Sequence, residues 1–140
     1  MRLSLLTTAL ATPAVFAAIA STSYDTAYDN STLKTTSLAC SDGENGLIPR
    51  GYTTLGQLPT FPNVGGGFPV EGWNSVNCGV CYKLTYKGRS VNITVVDHAD
   101  GFNIAKAAMN TLTNNQAVSL GRVNATYIKI DDSWCGLASA

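Results

Sequence analysis

Charge is scarce in this chain, and histidine scarcer still. Asp, Glu, Lys and Arg make up 13% of 140 residues, nine acidic against nine basic, with one histidine. Such a balance offers no basic stripe to track a phosphate backbone, which argues against nucleic acid or an anionic membrane as partner. A lone histidine excludes sites built from several imidazoles, and no metal or other cofactor is expected. Beyond the first 20 residues no apolar run is long enough to cross a bilayer. Neither an internal repeat nor a low-complexity segment is present. What remains is a nearly neutral surface, suited to a neutral, hydroxyl-rich ligand.

The first 20 residues, MRLSLLTTALATPAVFAAIA, read as a secretory signal peptide: Arg2, an apolar middle, and a small-residue exit at Ala18-Ile19-Ala20. Cleavage is expected after Ala20, with Ala17 and Ala18 as alternatives. Residues 21–140 then form one domain of about 120 residues with eight basic and nine acidic side chains. Export places the four cysteines, Cys40, Cys78, Cys81 and Cys135, in an oxidising compartment. Two structural disulfides fit better than a redox Cys78-Gly79-Val80-Cys81 motif, because a glycine- and proline-rich stretch precedes it rather than a strand. A zinc site built from all four cysteines would show two close pairs, and here there is one. Sequence alone leaves all three pairings open. Sequons at Asn30, Asn92 and Asn124 mark surface positions able to carry glycans.

Along the chain, residues 22–29 alternate enough for a first strand. Ser41 and Glu44 fit a capping box for a brief helix that Gly46 and Pro49 would end. From Gly51 to Gly79 glycines and prolines predict irregular structure, stapled by the cysteines at its ends. Residues 82–86 and 90–96 alternate across Lys87-Gly88-Arg89, predicting a β-hairpin. There Leu84 and Tyr86 share a face, as do Val91, Ile93 and Val95, while Asn92 and Thr94 face outward. Asn103 is positioned to cap a helix over 104–112, and Asn114 a second short helix through Leu120. Residues 122–130 read as a closing β-branched strand. Many short strands with glycine-rich connections favour a barrel, mainly β with short helices.

The segment 94-TVVDHADGFNIAKAAMN-110 concentrates the candidate chemistry. Asp97, His98 and Asp100 form only a weak zinc set without a distant fourth ligand. Hydrolysis of a sugar polymer needs two carboxyl groups roughly 5–9.5 Å apart, one holding its proton. Asp25, Asp42, Glu44, Glu71 and Asp100 are the candidate partners, and nothing in the sequence places any of them opposite Asp97. His98 is expected to hold backbone carbonyls and orient the loop. Asp97 reads either as a capping acid or as an acceptor for sugar hydroxyls, with Tyr24 or Trp73 available to stack on a sugar ring. Trp73 and Trp134, each near a cysteine, are equally expected to anchor the core.

Taken together, SYDTAYD, CSDGENGLI, LGQLPTFPNVGG, GWNSVNCGVCYKLTY, VVDHADGFNIAKAAMNTLT, VSLGRVNAT and the terminal Cys135-Gly136-Leu137 resemble the cerato-platanin family of fungal secreted proteins. The similarity runs in order over nearly all of residues 21–140. It implies a six-stranded double-psi β-barrel related to the first domain of expansins, with pairings Cys40–Cys78 and Cys81–Cys135. It also implies a non-catalytic cell-wall protein that binds N-acetylglucosamine oligomers, loosens cellulose without hydrolysis and elicits plant defences. Carried onto this chain, the polysaccharide-associated acid falls on Asp97. Tyr24, Asp25, Ser41, Gly43, Gln57, Asn74 and Asn103 are the groove positions expected around it. The chain departs from the pattern in a shorter loop before Phe102, in Asp100 and in its three sequons.

Three functions from different classes follow as expectations. The first is an extracellular protein that binds chitin fragments or cellulose without cleaving them. The second is a weak glycoside hydrolase or lytic transglycosylase. The third is a monomer whose self-assembly at surfaces, or recognition by a plant receptor, is the function.

Overall fold

The computed structural model describes residues 18–139. Six strands alternate with loops and two short helices: β1 (Ala18–Tyr24), β2 (Val64–Gly67), β3 (Cys81–Tyr86), β4 (Arg89–Asp97), β5 (Phe102–Ile104), α1 (Lys106–Thr113), α2 (Ala117–Leu120) and β6 (Arg122–Ile130). They close into a barrel in the order β1-β5-β2-β4-β3-β6, with β6 returning to β1. The β1–β5 and β2–β4 pairs are parallel, and the other pairs antiparallel.

The expected hairpin is present: β3 and β4 pair from Cys81↔Thr94 to Tyr86↔Arg89 around Lys87-Gly88. Alternation sends Leu84, Val91, Ile93 and Val95 inward, all buried. Each such side chain contributes about 2 kcal/mol by leaving water. Thr94, expected outward, is wholly buried instead. The loop before β2 crosses over the outside of the barrel there. Thr60 Oγ1 lies 2.7 Å from Thr94 Oγ1, and the Thr94 amide donates to the Asn63 carbonyl at 3.2 Å. β6 occupies the predicted residues.

Other local expectations give way to tertiary structure. The strand expected over 22–29 stops at Tyr24, because Asp25 accepts the Ala27 amide at 2.9 Å and caps a 3-10 turn over Thr26–Asp29. That strand also begins earlier. Ala18, Ile19 and Ala20, the last residues of the expected leader, pair with Tyr127, Thr126 and Ala125; the rest of that leader lies outside the described residues. No helix follows Ser41. Gly43 sits at φ 85°, a left-handed conformation that breaks helical continuation, and the Ser41 hydroxyl donates to the Asp42 carboxylate at 3.3 Å instead. The next helical turn is a 3-10 turn over Ile48–Arg50. The glycine-rich stretch contains the central strand β2, whose four residues are all buried. Asn103 lies in β5, not at a helix cap. The amides of Lys106 and Ala107 donate instead to the two oxygens of Asp29, at 2.7 and 2.9 Å. Asn114 ends α1 at φ 58°, while Asn110 Oδ1 receives the Ala117 amide at the start of α2.

Both disulfides join the pairs the resemblance implies, Cys40–Cys78 and Cys81–Cys135. They span 38 and 54 residues of sequence, so each stabilises by about 4 kcal/mol on the chain-entropy model. The first ties the loop around Ser41 to the one preceding β3. The second fastens the C-terminal segment to the barrel. Trp73 and Trp134 are not core anchors: they are 63% and 70% exposed.

A polar rim centred on Asp97

Asp97 ends β4, half-buried, and its carboxylate is held by three donors. Oδ1 accepts the Ala39 amide at 2.9 Å and the His98 amide at 3.0 Å, while Oδ2 accepts the Tyr28 hydroxyl at 2.9 Å. A carboxylate offers about four acceptor positions, so roughly one remains, on Oδ2. Tyr28 is buried at 7% exposure. Burial first, then the Asp97 charge and hydrogen bond and the charge of Asp25, hold its hydroxyl far above the ordinary phenol range. It is therefore a permanent donor at any physiological pH.

The strand registers bring several expected residues to the same rim. Ser23, Asn103, Gly66 and Asp97 form one row across β1, β5, β2 and β4. Ser23 donates to Asn103 Oδ1 at 3.1 Å. Asn103 and Asp97 stand two strands apart, roughly 10 Å between backbones. Glycine is required between them, since a Cβ on Gly66 would lie 2.9 Å from the His98 carbonyl and 3.2 Å from the Tyr28 hydroxyl. Tyr24 is half-buried beside this row, opposite Ile104, and the Asp25 amide donates to the Ile104 carbonyl at 2.9 Å.

A second cluster adjoins it through the disulfide loop. Ala39, which binds Asp97, precedes Cys40, whose amide donates to the Val96 carbonyl at 3.2 Å. Ser41 is buried just beyond. Gly43 packs against Asn74 and Trp73, so that a Cβ there would come 2.7 Å from Asn74 Oδ1. Asn74 holds Asn45 through two bonds, of 2.9 and 3.1 Å, and the exposed Trp73 donates through Nε1 to Asp42 at 2.7 Å. Gln57 is placed differently. Its Oε1 accepts the Thr53 amide at 2.7 Å, and the exposed Gln57 ends a 3-10 turn over Leu55–Gln57 rather than lying in a barrel strand.

His98 lies as the sequence suggested, its Nδ1 2.7 Å from the Val70 carbonyl. Asp25 is exposed and accepts the Ala27 amide; Asp42 accepts from Trp73 and Ser41; Asp100 is exposed on the bend after His98. A general acid at Asp97 would need a proton on an oxygen already facing a protein donor. The residues that sequence reading missed here are Tyr28 and the Ala39 amide. The Tyr-Asp dipeptides at 24–25 and 28–29 were the available signal, and alternation assigned the second to a strand. The sequon asparagines all lie at the surface. Asn30 and Asn124 are exposed, Asn92 is half-buried, and Asn30 Oδ1 accepts from both the amide and hydroxyl of Thr32.

A closed six-stranded barrel with two disulfides defines a class of small, disulfide-stapled β-domain, here with a carboxylate held in place at the barrel's rim. The chain belongs to the cerato-platanin family, whose profile matches residues 20–137. It is 53% identical over 129 residues to a protein of Arthroderma benhamiae called an Allergen Asp f 15 homolog; the match covers 91% of this chain and 63% of that protein. Among solved structures, cerato-platanin 3 from M. perniciosa superposes with a TM-score of 0.82 at 41% identity, over 86% of this chain and 100% of that one. The solution structure of the fungal elicitor cerato-platanin gives 0.74 at 42% identity, over 82% and 95%. The family's proteins are secreted and disulfide-bonded, and the two bridges here agree with an extracellular location.

Proposed function

We propose that this protein is a non-catalytic saccharide-binding protein of the extracellular matrix, which takes N-acetylglucosamine oligomers or single cellulose chains along the rim centred on Asp97. One observation carries the reading: the Asp97 carboxylate is fixed by Tyr28 and Ala39 from two other segments and by the adjoining His98 amide, with an acceptor position left over. A fixed charged acceptor binds a sugar hydroxyl more strongly than a neutral one, without the entropy of ordering a side chain. Asn103 supplies a second polar group about two strand spacings away, a separation that spans adjoining sugar units. Loosening of cellulose then needs only that binding to single chains compete with chain–chain contacts. In plant or animal hosts such a protein would also be exposed to recognition, in keeping with relatives described as an elicitor and an allergen homolog.

Titration with N-acetylglucosamine oligomers, followed by amide NMR shifts, tests the site. Shifts grouped at Asp97, His98 and Asn103 are expected, and a saturating oligomer that moves none of them would reject it. Release of reducing ends or anhydro-sugars from polymer, lost in Asp97→Asn, would instead favour an enzyme.

A further inference from the structure

A second surface lies on another part of the barrel. Trp134 is 70% exposed, yet its backbone is held firmly. Its amide donates to the Asp131 carbonyl at 3.1 Å, and the next residue is bridged to Cys81. Two adjoining clefts, of about 350 and 460 Å³, are lined by Trp134 together with Ser90 and Asn92. Lys83 and Ile130 complete one cleft, and Asn63 and Thr60 border the other. Those volumes suit a small ligand. An indole face walled by hydroxyl, amide and ammonium groups is the chemistry that receives a pyranose: its C–H face against the ring, its polar edge against the walls.

Asn92 is also the acceptor of the sequon Asn92-Ile93-Thr94. We propose that Asn92 carries an N-linked glycan and that its innermost N-acetylglucosamine lies in this groove against Trp134. Attachment joins Asn92 Nδ2 to sugar C1. The C1–oxygen bond to the pyrophosphate of a lipid-linked donor breaks, the pyrophosphate leaves with the bonding electrons, and the amide proton passes to the transferase. The step precedes folding, because Thr94 becomes wholly buried with its hydroxyl 2.7 Å from Thr60. Folding then turns Ile93 inward and Asn92 outward, which delivers the attached sugar to the indole. This inference rests on export of the chain and is independent of saccharide binding at Asp97.

The test uses the Trp73→Phe protein, in which Trp134 is the sole tryptophan, secreted from a eukaryotic host. Glycopeptide mass spectrometry reads occupancy at Asn92. Acrylamide quenching then compares the intact glycoprotein, the form trimmed by endoglycosidase to one N-acetylglucosamine, and Asn92→Gln. The first two forms are expected to quench alike and the third several-fold more strongly, with the same pattern in an Asp97→Asn background. An unmodified Asn92, or equal quenching in all three forms, overturns the proposal. So does an unmodified protein in which added N-acetylglucosamine oligomers shield Trp134, which would make the groove a site for free ligand.

Discussion

Truncating Asp97 is the obvious test of saccharide binding, and from the sequence it looks harmless to the fold. The structure predicts otherwise. Asp97→Ala strands the half-buried Ala39 amide and the buried Tyr28 hydroxyl, while the exposed His98 amide can turn to water. Two desolvated donors left without partners cost about 3 kcal/mol together. For a domain of this size that corresponds to a fall of about 12 °C in the thermal midpoint. Asp97→Asn keeps the shape. Its Oδ1 still receives both amides, and Tyr28 can rotate its hydroxyl to accept from the new NH2, so the expected cost is about 1 kcal/mol. What Asn loses is the charge offered to the ligand, worth about tenfold in affinity. Thermal denaturation and calorimetric titration of both variants with an N-acetylglucosamine oligomer separate the two effects. An alanine variant melting within about 2 °C of the parent would refute the three-donor account. An asparagine variant binding as tightly as the parent would refute the charged acceptor.

Asp29→Ala should destabilise by about 2 kcal/mol, since it removes two bonds to a charged cap and its interaction with the α1 dipole; Asp29→Asn should recover part of this in chemical denaturation. Replacing both Cys81 and Cys135 by serine should lower stability by about 4 kcal/mol, read from the denaturant midpoint at constant protein concentration. Tyr28 and Tyr82 both have hydroxyls raised above 10.0, by burial first. The folded chain therefore retains protons that the unfolded chain releases, so their contribution is complete below pH 10 and is lost as pH rises beyond it. Tyr28→Phe should flatten that alkaline decline, and a phenolate absorbance titration in which Tyr28 ionises before unfolding would contradict the burial.

The hairpin β3–β4 and the strand β6 were legible because inward positions such as Leu84, Val91 and Ile93 alternate with polar ones over a full strand length. β2 was not, because three of its four residues are glycine and glycine carries no periodicity. Its identity comes from its neighbours. A Cβ on Gly65 would lie 2.4 Å from the Asn103 carbonyl oxygen and 2.6 Å from the Ile104 Cα, so only a bare backbone fits against β5. The cap of α1 failed for a related reason. Local rules looked to Asn103, whereas the capping carboxylate belongs to Asp29, some 77 residues away in sequence. Exposure of the two tryptophans was equally unreadable, since proximity to a bridged cysteine fixes the backbone without fixing which side the indole takes. The loop bearing Asp97 stood out by its composition, whereas the choice of Asp97 as the polysaccharide-associated acid, like the disulfide pairing, came through resemblance rather than through any pattern of spacing.

The support around Asp97 would let so shallow a rim serve the proposed saccharide site. Ala39 cannot drift, because the adjacent Cys40 is bridged to Cys78 and hydrogen-bonded to Val96. Tyr28 cannot drift, because Asp25 caps its turn on one side and Asp29 is fastened to α1 on the other. The His98 ring is tied to Val70. Each donor to the carboxylate is thus immobilised by a contact outside the rim, and the acceptor is positioned before any ligand arrives. That arrangement favours recognition over proton transfer. A general acid must gain and lose a proton as the substrate changes, whereas every hydrogen bond made here is one in which Asp97 accepts. Reducing Cys40–Cys78 alone should therefore weaken oligosaccharide binding even where the barrel stays folded, because it frees Ala39. Calorimetric titration of Cys40→Ser/Cys78→Ser, at a temperature where its amide spectrum remains dispersed, would show the loss. Undiminished affinity there would mean that the loop's bridge plays no part in holding the carboxylate.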